Sequence, residues 1–213
     1  MLIVMCGLPL TGKSTVAEHL SRAINAETIN TDSIRRELFR SCTLQEILDS
    51  PDPLKCDLQR VFDAQPSIPE KYQQMIWQQN RLVYDRLLRK AADSLSRRSV
   101  VLDGTFSRKS IRDRAYAIGR SASHDVYLIH CVCTDEVIVK RLSRRQQTPD
   151  QTSYVASLAV FQKVKERFED PLDGDIPTIV YDSGTSLIHV RNAEMGNKEE
   201  IARLAESIAA QHR

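Results

Sequence analysis

The chain has 213 residues, 41% of them hydrophobic and 27% charged, enough to bury one substantial core and short of requiring two. With 30 basic side chains against 28 acidic ones the formal charge is +2, which excludes the broad cationic face that non-specific nucleic-acid binding uses; any nucleic-acid contact would have to be local. Five cysteines, at positions 6, 42, 56, 131 and 133, form an odd set without C-x-x-C spacing, so neither a disulfide framework nor a zinc site is expected.

Taken in chain order, the apolar run from Leu2 to Cys6 reads as a buried parallel strand. It is too short to span a membrane and lacks the charged start and long apolar run of a signal peptide, so a cytoplasmic protein with no membrane partner is expected. The run leads into Gly7, Leu8, Pro9, Leu10, Thr11, Gly12, Lys13 and Ser14, the pattern G-x-x-x-x-G-K-[ST] placed between a strand and a helix. In that setting backbone N–H groups and the positive helix N-terminus cradle the phosphates of ATP, Lys13 reaches the β and γ groups, and the Ser14 hydroxyl turns to Mg²⁺. Gly7 to Thr15 are therefore the nucleotide-binding residues, with Thr15 starting the helix rather than adding a second metal ligand. Leu10 stands where such loops very often carry Gly, which puts the usual open conformation of the loop at issue there.

A helix over 14–24 and a strand over Glu27–Asn30 follow, and the strand runs into Thr31-Asp32. Asp32 lies nineteen residues beyond Lys13, at the carboxyl end of its strand, where it would face the phosphate loop. It is the candidate general base; the alternative is an N-cap for a helix over Ser33–Phe39. Arg35 lies three residues on and could hold an acceptor's phosphate or orient the base. Residues 42–69, with prolines at 51, 53, 66 and 69, break the alternation and read as an insertion with a short helix near 43–48, either facing the substrate or forming a surface excursion. A helical region over 70–97 carries Tyr72, Trp77 and Tyr84, expected as core or groove packing rather than a base-stacking platform.

The next strand, Ser99–Asp103, ends on a second carboxylate. Asp103 is suited to hold Mg²⁺ through water or to orient the acceptor, and either it or Asp32 could be the base; its other reading is an Asp-Gly turn. Thr105 and Ser107 are further candidates for substrate contact. After a helix over 110–121 and a strand over Val126–Val132, a helix over 135–145 places Arg141 and Arg145 at i and i+4 on one face. Two guanidiniums there can clamp the transferring phosphoryl as a lid over 141–152 closes; the alternative is a solvated basic face or a nucleic-acid patch. A helix over 153–169, a strand over Thr178–Tyr181 and a helix over 198–212 complete the pattern. Five strands alternating with helices give a single α/β domain, a parallel sheet covered on both faces, with ligands at the carboxyl ends of the strands.

No N-K-x-D element reads guanine, and no strand ends in Asp-Glu as in motor-type ATPases, which leaves a small kinase. At this point Gly7 to Thr15, Asn30-Thr-Asp32-Ser-Ile-Arg35, Val101-Leu-Asp103-Gly-Thr-Phe with Arg112, and Val139-Lys-Arg141-Leu-Ser-Arg-Arg145 resemble the zeta-toxin-like and polynucleotide-5′-kinase-like branch of P-loop kinases. The resemblance covers about residues 1 to 185. It implies a three-layer P-loop fold with five parallel strands ordered 2-3-1-4-5 and a helical lid. It also implies Asp32 as base, Arg35 beside the acceptor, Asp103 on the acceptor side and Arg145 as the lid arginine. Gly104 and Phe106 stand where the polynucleotide kinases commonly have Thr and Asn, which sets nucleic-acid specificity apart from the rest of the resemblance. The expected activity is transfer of the γ-phosphoryl of ATP to a hydroxyl of a small molecule or nucleotide. A polynucleotide 5′-hydroxyl is the alternative acceptor, and an ATP-dependent interaction module without transfer is the alternative from another class. The sequence sets no oligomeric state.

Overall fold

In the computed structural model, which describes residues 1–62, 65, 67–147, 157–171 and 174–211, the strand β1 (Leu2–Cys6) is buried along its whole length. Being covered on both sides, it is apolar at every position rather than at alternate ones. It lies inside a six-stranded sheet with β2 (Glu27–Asn30), β3 (Val100–Asp103), β4 (Val126–Val132), β5 (Thr178–Asp182) and β6 (Leu187–Arg191), in the order β2-β3-β1-β4-β5-β6. The first five strands are parallel and in the order 2-3-1-4-5.

The sixth strand corrects the expected five. It folds back antiparallel on β5, and Leu187 and Val190 remain exposed on it. A mostly exposed edge strand has no second layer to demand a continuous apolar run, so its sequence lacks the signature the others carry.

Helices α1 (Lys13–Ala23), α2 (Thr31–Leu38), α3 (Leu44–Asp49), α4 (Leu58–Phe62), α5 (Glu70–Leu95), α6 (Lys109–Ser121), α7 (Asp135–Gln147), α8 (Leu158–Glu166) and α9 (Lys198–Ala210) surround the sheet. One core packs Val83, Leu87 and Ala91 of α5 and Ala115 of α6 against Leu2, Val4 and Leu102. The other packs Val16 and Leu20 of α1 and Ile201, Leu204 and Ile208 of α9 against Ile3, Met5 and Ile129. The three-layer arrangement follows from strands with two apolar faces. The long helical region is one uninterrupted helix of 26 residues.

Within 42–69, α3 is closed by a capping box between Thr43 and Glu46, and α4 is a helix the sequence pattern did not signal. A small separate core of Ile47, Cys56, Leu58, Phe62, Tyr72 and Ile76 ties this segment to the start of α5. Cys42 and Cys56 are joined as a disulfide, which overturns the expectation of none. The two thiols are brought together by a strand-like bridge between Arg40 and Cys56, a long-range pairing that cysteine spacing does not encode. Of the expected helix over 153–169, residues 157–166 fall in or at the cap of α8, while 153–156 lie outside the described residues, as do 148–152 of the expected lid.

Candidate active site

The phosphate loop leaves β1 and enters α1 with three residues at positive φ, Gly7 at 143°, Leu10 at 68° and Gly12 at 86°. At Gly7 a Cβ would run into the Cys131 carbonyl oxygen of β4, so only glycine lets the loop pass that close to the neighbouring strand. Leu10 takes the left-handed conformation that glycine would adopt without cost, so the expected departure is in residue type and not in backbone. Its carbonyl is held by the Arg141 guanidinium, Nη1 donating at 2.8 Å. The Lys13 ammonium donates to the Leu8 carbonyl at 2.7 Å. Burial pulls its pKa below the ordinary lysine value, with the Asp103 charge chief among those acting the other way. An ammonium with few water contacts and a loop carbonyl within reach is placed to exchange that carbonyl for a phosphate oxygen.

Asp32 and Asp103 are brought together by strand register, because Asn30 at the end of β2 is paired with Asp103 at the end of β3. The Asn30 side-chain amide donates to the Asp103 carboxylate at 2.6 Å, while its Oδ1 accepts from the backbone N–H of Asp32 at 2.8 Å and of Ser33 at 3.0 Å. Asn30 is therefore the N-cap of α2, and Asp32 lies in the first turn with its carboxylate not engaged as a cap. Burial, and then the charge of Asp103, raise the Asp32 carboxyl from 3.8 to about 6, against Arg35, Arg36 and Lys13.

These residues line one cavity of about 600 Å³, within the range for small-molecule sites. Lys13, Ser14 and Thr15 line it together with Arg141, Arg144 and Arg145 of α7. Asn30, Asp32, Gln59, Asp103 and Thr105 line the same cavity, as do Val160 and Val164 of α8. Ser14 is exposed, and its position fits a magnesium ligand; Asp103 is 3% exposed and lines the same cavity. Among the described residues no group of three His, Cys, Asp or Glu side chains could hold a metal. A magnesium ion here would take its ligands from the Ser14 hydroxyl, the donor phosphates and water, with Asp103 able to hold one of those waters.

Two expected roles change. Arg35 does not line the cavity. Its guanidinium is buried against Asp57 at 3.4 Å and donates to Asn80 Oδ1, where α2 packs on α5 and the segment after Cys56 supplies a carboxylate. Arg141 lines the cavity, but its fork is engaged by the Leu10 carbonyl, the Ser183 hydroxyl at 2.8 Å and the Ser183 carbonyl at 3.0 Å. It acts as a brace between α7, the phosphate loop and the β5–β6 turn. Arg145 lies at the cavity with Arg144.

Thr105 lines the cavity and its carbonyl accepts from Gly7 N–H at 3.2 Å. Ser107 does not line the cavity, and its backbone carbonyl takes the Glu169 N–H at 2.8 Å. Arg112, 1% exposed, donates to the Phe106, Glu169 and Asp170 carbonyls, so it anchors the segment after α8 to the end of β3.

Sequence reasoning missed Asn30 as a linking residue, along with Gln59, Asp57, Arg144 and Ser183. Asn30 alone had a local signal, an asparagine directly before a helix. Tyr72 stacks on Phe62 with centroids 4.7 Å apart, and the Tyr84 hydroxyl accepts the Phe106 N–H at 3.1 Å, both as packing residues. Trp77 departs from that expectation: it is 57% exposed, with the Arg167 guanidinium 5.3 Å from its ring centroid.

A family profile for the AAA domain matches residues 2–171. An uncharacterised protein of Mycobacterium tuberculosis, Rv2004c, is 29% identical over 158 residues, covering 73% of this chain and 28% of the relative. The chain thus spans little more than a quarter of the length of the curated relatives it matches. Among solved structures, Kti12 of Chaetomium thermophilum in complex with ADP-AlF3 superposes with a TM-score of 0.58 at 16% identity, covering 98% of this chain and 99% of that one. A sugar kinase from Janibacter superposes with a TM-score of 0.55 at 17% identity, covering 99% and 96%. At these identities the likeness is one of fold alone, a three-layer P-loop nucleotide-binding fold. No helix among the described residues is long and apolar enough to cross a membrane.

Proposed function

The chain belongs to the AAA domain family, and from that premise we propose that it is an ATP- and Mg²⁺-dependent kinase that transfers the γ-phosphoryl group to a hydroxyl of a small molecule or nucleotide. The observation that carries the reading is the shared cavity. A phosphate loop with its lysine and serine opens onto the same space as a half-buried carboxylate with a pKa of about 6, set where an acceptor hydroxyl would approach the donor. Bound ATP and Mg²⁺ supply the phosphoryl group and much of the charge neutralisation. Asp32 holds the acceptor hydroxyl and takes its proton as the bond to phosphorus forms. Lys13 and Arg145 stabilise charge on the transferring group. Asp103, held by Asn30, orients the acceptor or a metal-bound water.

The carboxylate at the end of β3, the Asn30–Arg35 motif and the α7 arginines support placing the chain in the zeta-toxin-like and polynucleotide-kinase-like branch. Gln59 at the cavity supports a substrate-facing role for residues 42–69, and Arg141, Arg144 and Arg145 support a lid that begins on α7. With ATP as donor, a cytoplasmic location is part of this proposal.

The test is incubation with γ-labelled ATP and separate pools of metabolites, nucleosides, nucleotides and 5′-hydroxyl oligonucleotides, with wild type beside Asp32→Asn. Label is expected in at least one pool with wild type alone. Transfer unchanged by the substitution overturns the assigned base. Tight ATP binding with every pool unlabelled overturns the kinase reading in favour of an interaction module.

A further inference from the structure

Residues 54–60 are held more closely than a surface excursion requires. Gln79 of α5, fully buried, donates its amide to the Leu54 and Cys56 carbonyls at 3.0 and 2.6 Å and accepts the Leu58 N–H at 3.3 Å. The Arg40 N–H donates to the Lys55 carbonyl at 3.0 Å, and the Asp57 N–H to the Arg40 carbonyl at 2.9 Å. The Asp57 carboxylate takes the buried Arg35 guanidinium at 3.4 Å and the Arg60 N–H of α4 at 3.4 Å. A buried charge pair adds little stability over an apolar pair of the same volume; what this one fixes is position.

The pair joins two helices that matter to the cavity. On α2, Asp32 precedes Arg35 by one turn, and Gln59 of α4 follows Asp57 by two residues. Arg35 stands close enough to Asp32 for its charge to act on that carboxyl, although its guanidinium is engaged with Asp57. Among the described residues of 42–69, Gln59 alone lines the cavity. It is half-buried there, and no hydrogen bond among the described residues holds its amide.

Backbone and buried side-chain bonds thus fix the residues on both sides of Gln59, while its own amide is left to bond a ligand. An amide can do what the Asp32 and Asp103 carboxylates cannot when ionised: it donates to an oxygen, and its carbonyl also accepts from a hydroxyl.

Resting on the kinase reading above, we infer that Gln59 is an acceptor-binding residue, its amide donating to an oxygen beside the hydroxyl that Asp32 deprotonates, and that the buried Arg35–Asp57 pair is the clasp that positions it. Residues 42–69 then contribute one specific contact rather than a general cover. Arg35 serves the acceptor through Asp57 and Gln59 without touching it.

Full-length wild type, Gln59→Ala, Gln59→Glu, Asp57→Asn and the double variant Gln59→Ala with Asp57→Asn are incubated with γ-labelled ATP and separate pools of monosaccharides, nucleosides, nucleoside monophosphates and 5′-hydroxyl oligonucleotides. Transfer to each pool that wild type labels is followed against pool concentration, with ADP titration and thermal unfolding beside it. Gln59→Ala should raise the apparent KM for the labelled pool about tenfold, with kcat, ADP affinity and Tm kept, since the amide bonds neither nucleotide nor protein. Gln59→Glu keeps the size and removes the donors, so it should raise this KM at least as far. Asp57→Asn should raise it too, and Gln59→Ala should then add less than about twofold, because a displaced amide has little contact left to lose.

An unchanged KM in Gln59→Ala, a wild-type KM in Gln59→Glu, or ADP affinity that falls along with the acceptor's overturns the role of Gln59, while transfer by wild type keeps the kinase reading. Additive effects of the two substitutions overturn the clasp; should Asp57→Asn fail to fold, Arg35→Met with Asp57→Leu takes its place in the cycle. A wild type that labels no pool overturns the kinase reading and this role with it.

Discussion

Replacing Asp32 by asparagine should make the protein more stable and nearly inactive, and the pH dependence of both effects can be worked from the site. Burial and the Asp103 charge raise the carboxyl from 3.8 to about 6. A displacement of that size corresponds to about 3 kcal/mol against the ionised form in the folded state, and residual contact with solvent brings the figure to about 2 kcal/mol. Because the folded pKa lies above the unfolded one, the folded protein takes up this proton first as pH falls. The penalty is complete above about pH 6, shrinks as pH drops through that value, and is gone below 3.8. Asn carries no such penalty. Asp32→Asn should therefore be about 2 kcal/mol more stable at pH 8, or about 4–8 °C in Tm for a chain of this size, with the gap closing toward pH 4. Over the same range kcat should fall by about 10²–10⁴-fold, and the wild-type acid limb of kcat/KM, with its midpoint near the same pKa, should be absent from the residual activity. Thermal unfolding from pH 4 to 8 alongside labelled-ATP turnover checks both. A Tm gap that does not change with pH, or an acid limb that survives the substitution, refutes the reasoning.

Arg35→Ala leaves Asp57 buried without its counter-charge and should cost about 3–5 kcal/mol in urea unfolding; Arg35→Met with Asp57→Leu should recover most of that. A stable Arg35→Ala with only a raised acceptor KM would return the residue to the acceptor. Reduction of Cys42–Cys56, fourteen residues apart, should lower stability by about 3 kcal/mol, read as unfolding with and without dithiothreitol, with amide exchange accelerated first in α3 and α4. Leu10→Gly removes a left-handed leucine that costs about 1–2 kcal/mol. Arg141→Ala should weaken ADP binding about tenfold in wild type and distinctly less in the Leu10→Gly background, a coupling read from a double-mutant cycle; additive effects would mean the arginine does not brace that carbonyl. Arg145→Ala should slow transfer about 10–100-fold with ATP affinity kept, and no effect would assign it to the solvated face.

The donor end was legible because it is contiguous. A strand, a glycine-bounded loop and the first turn of a helix lie within residues 2 to 15, and the loop's function uses mostly backbone groups whose geometry local residue types dictate. The rest of the cavity is assembled from β2, α2, α4, β3, α7 and α8, and its decisive contacts join residues far apart in the chain. Arg35 shows the difference. Position in the sequence put it beside the base, whereas the pairing of Arg40 with Cys56 carries Asp57 into the space its guanidinium reaches. Trp77 was read as packing because helix periodicity cannot say which residues a later helix will cover. Here α8 covers it with a single arginine. The sixth strand escaped for the opposite reason, since an exposed edge makes so few packing demands that it leaves little pattern.

Asn30 joins the two ends of this argument. The run Asn30-Thr31-Asp32-Ser33 offers four residues that can cap a helix, and propensity cannot choose among them. Strand register can, because it sets residue 30 opposite Asp103. An amide there both accepts from the helix N-terminus and donates to the neighbouring carboxylate, which no serine, threonine or aspartate does with a geometry reaching both sides. An aspartate at 30 would cap α2 equally well but would set another negative charge against Asp103 and Asp32, where two are already close enough to move a pKa. The cap residue thus frees Asp32 from a structural duty, donates its amide to the buried Asp103 carboxylate, and keeps the two carboxylates at the shared end of their strands, where the phosphate loop faces them.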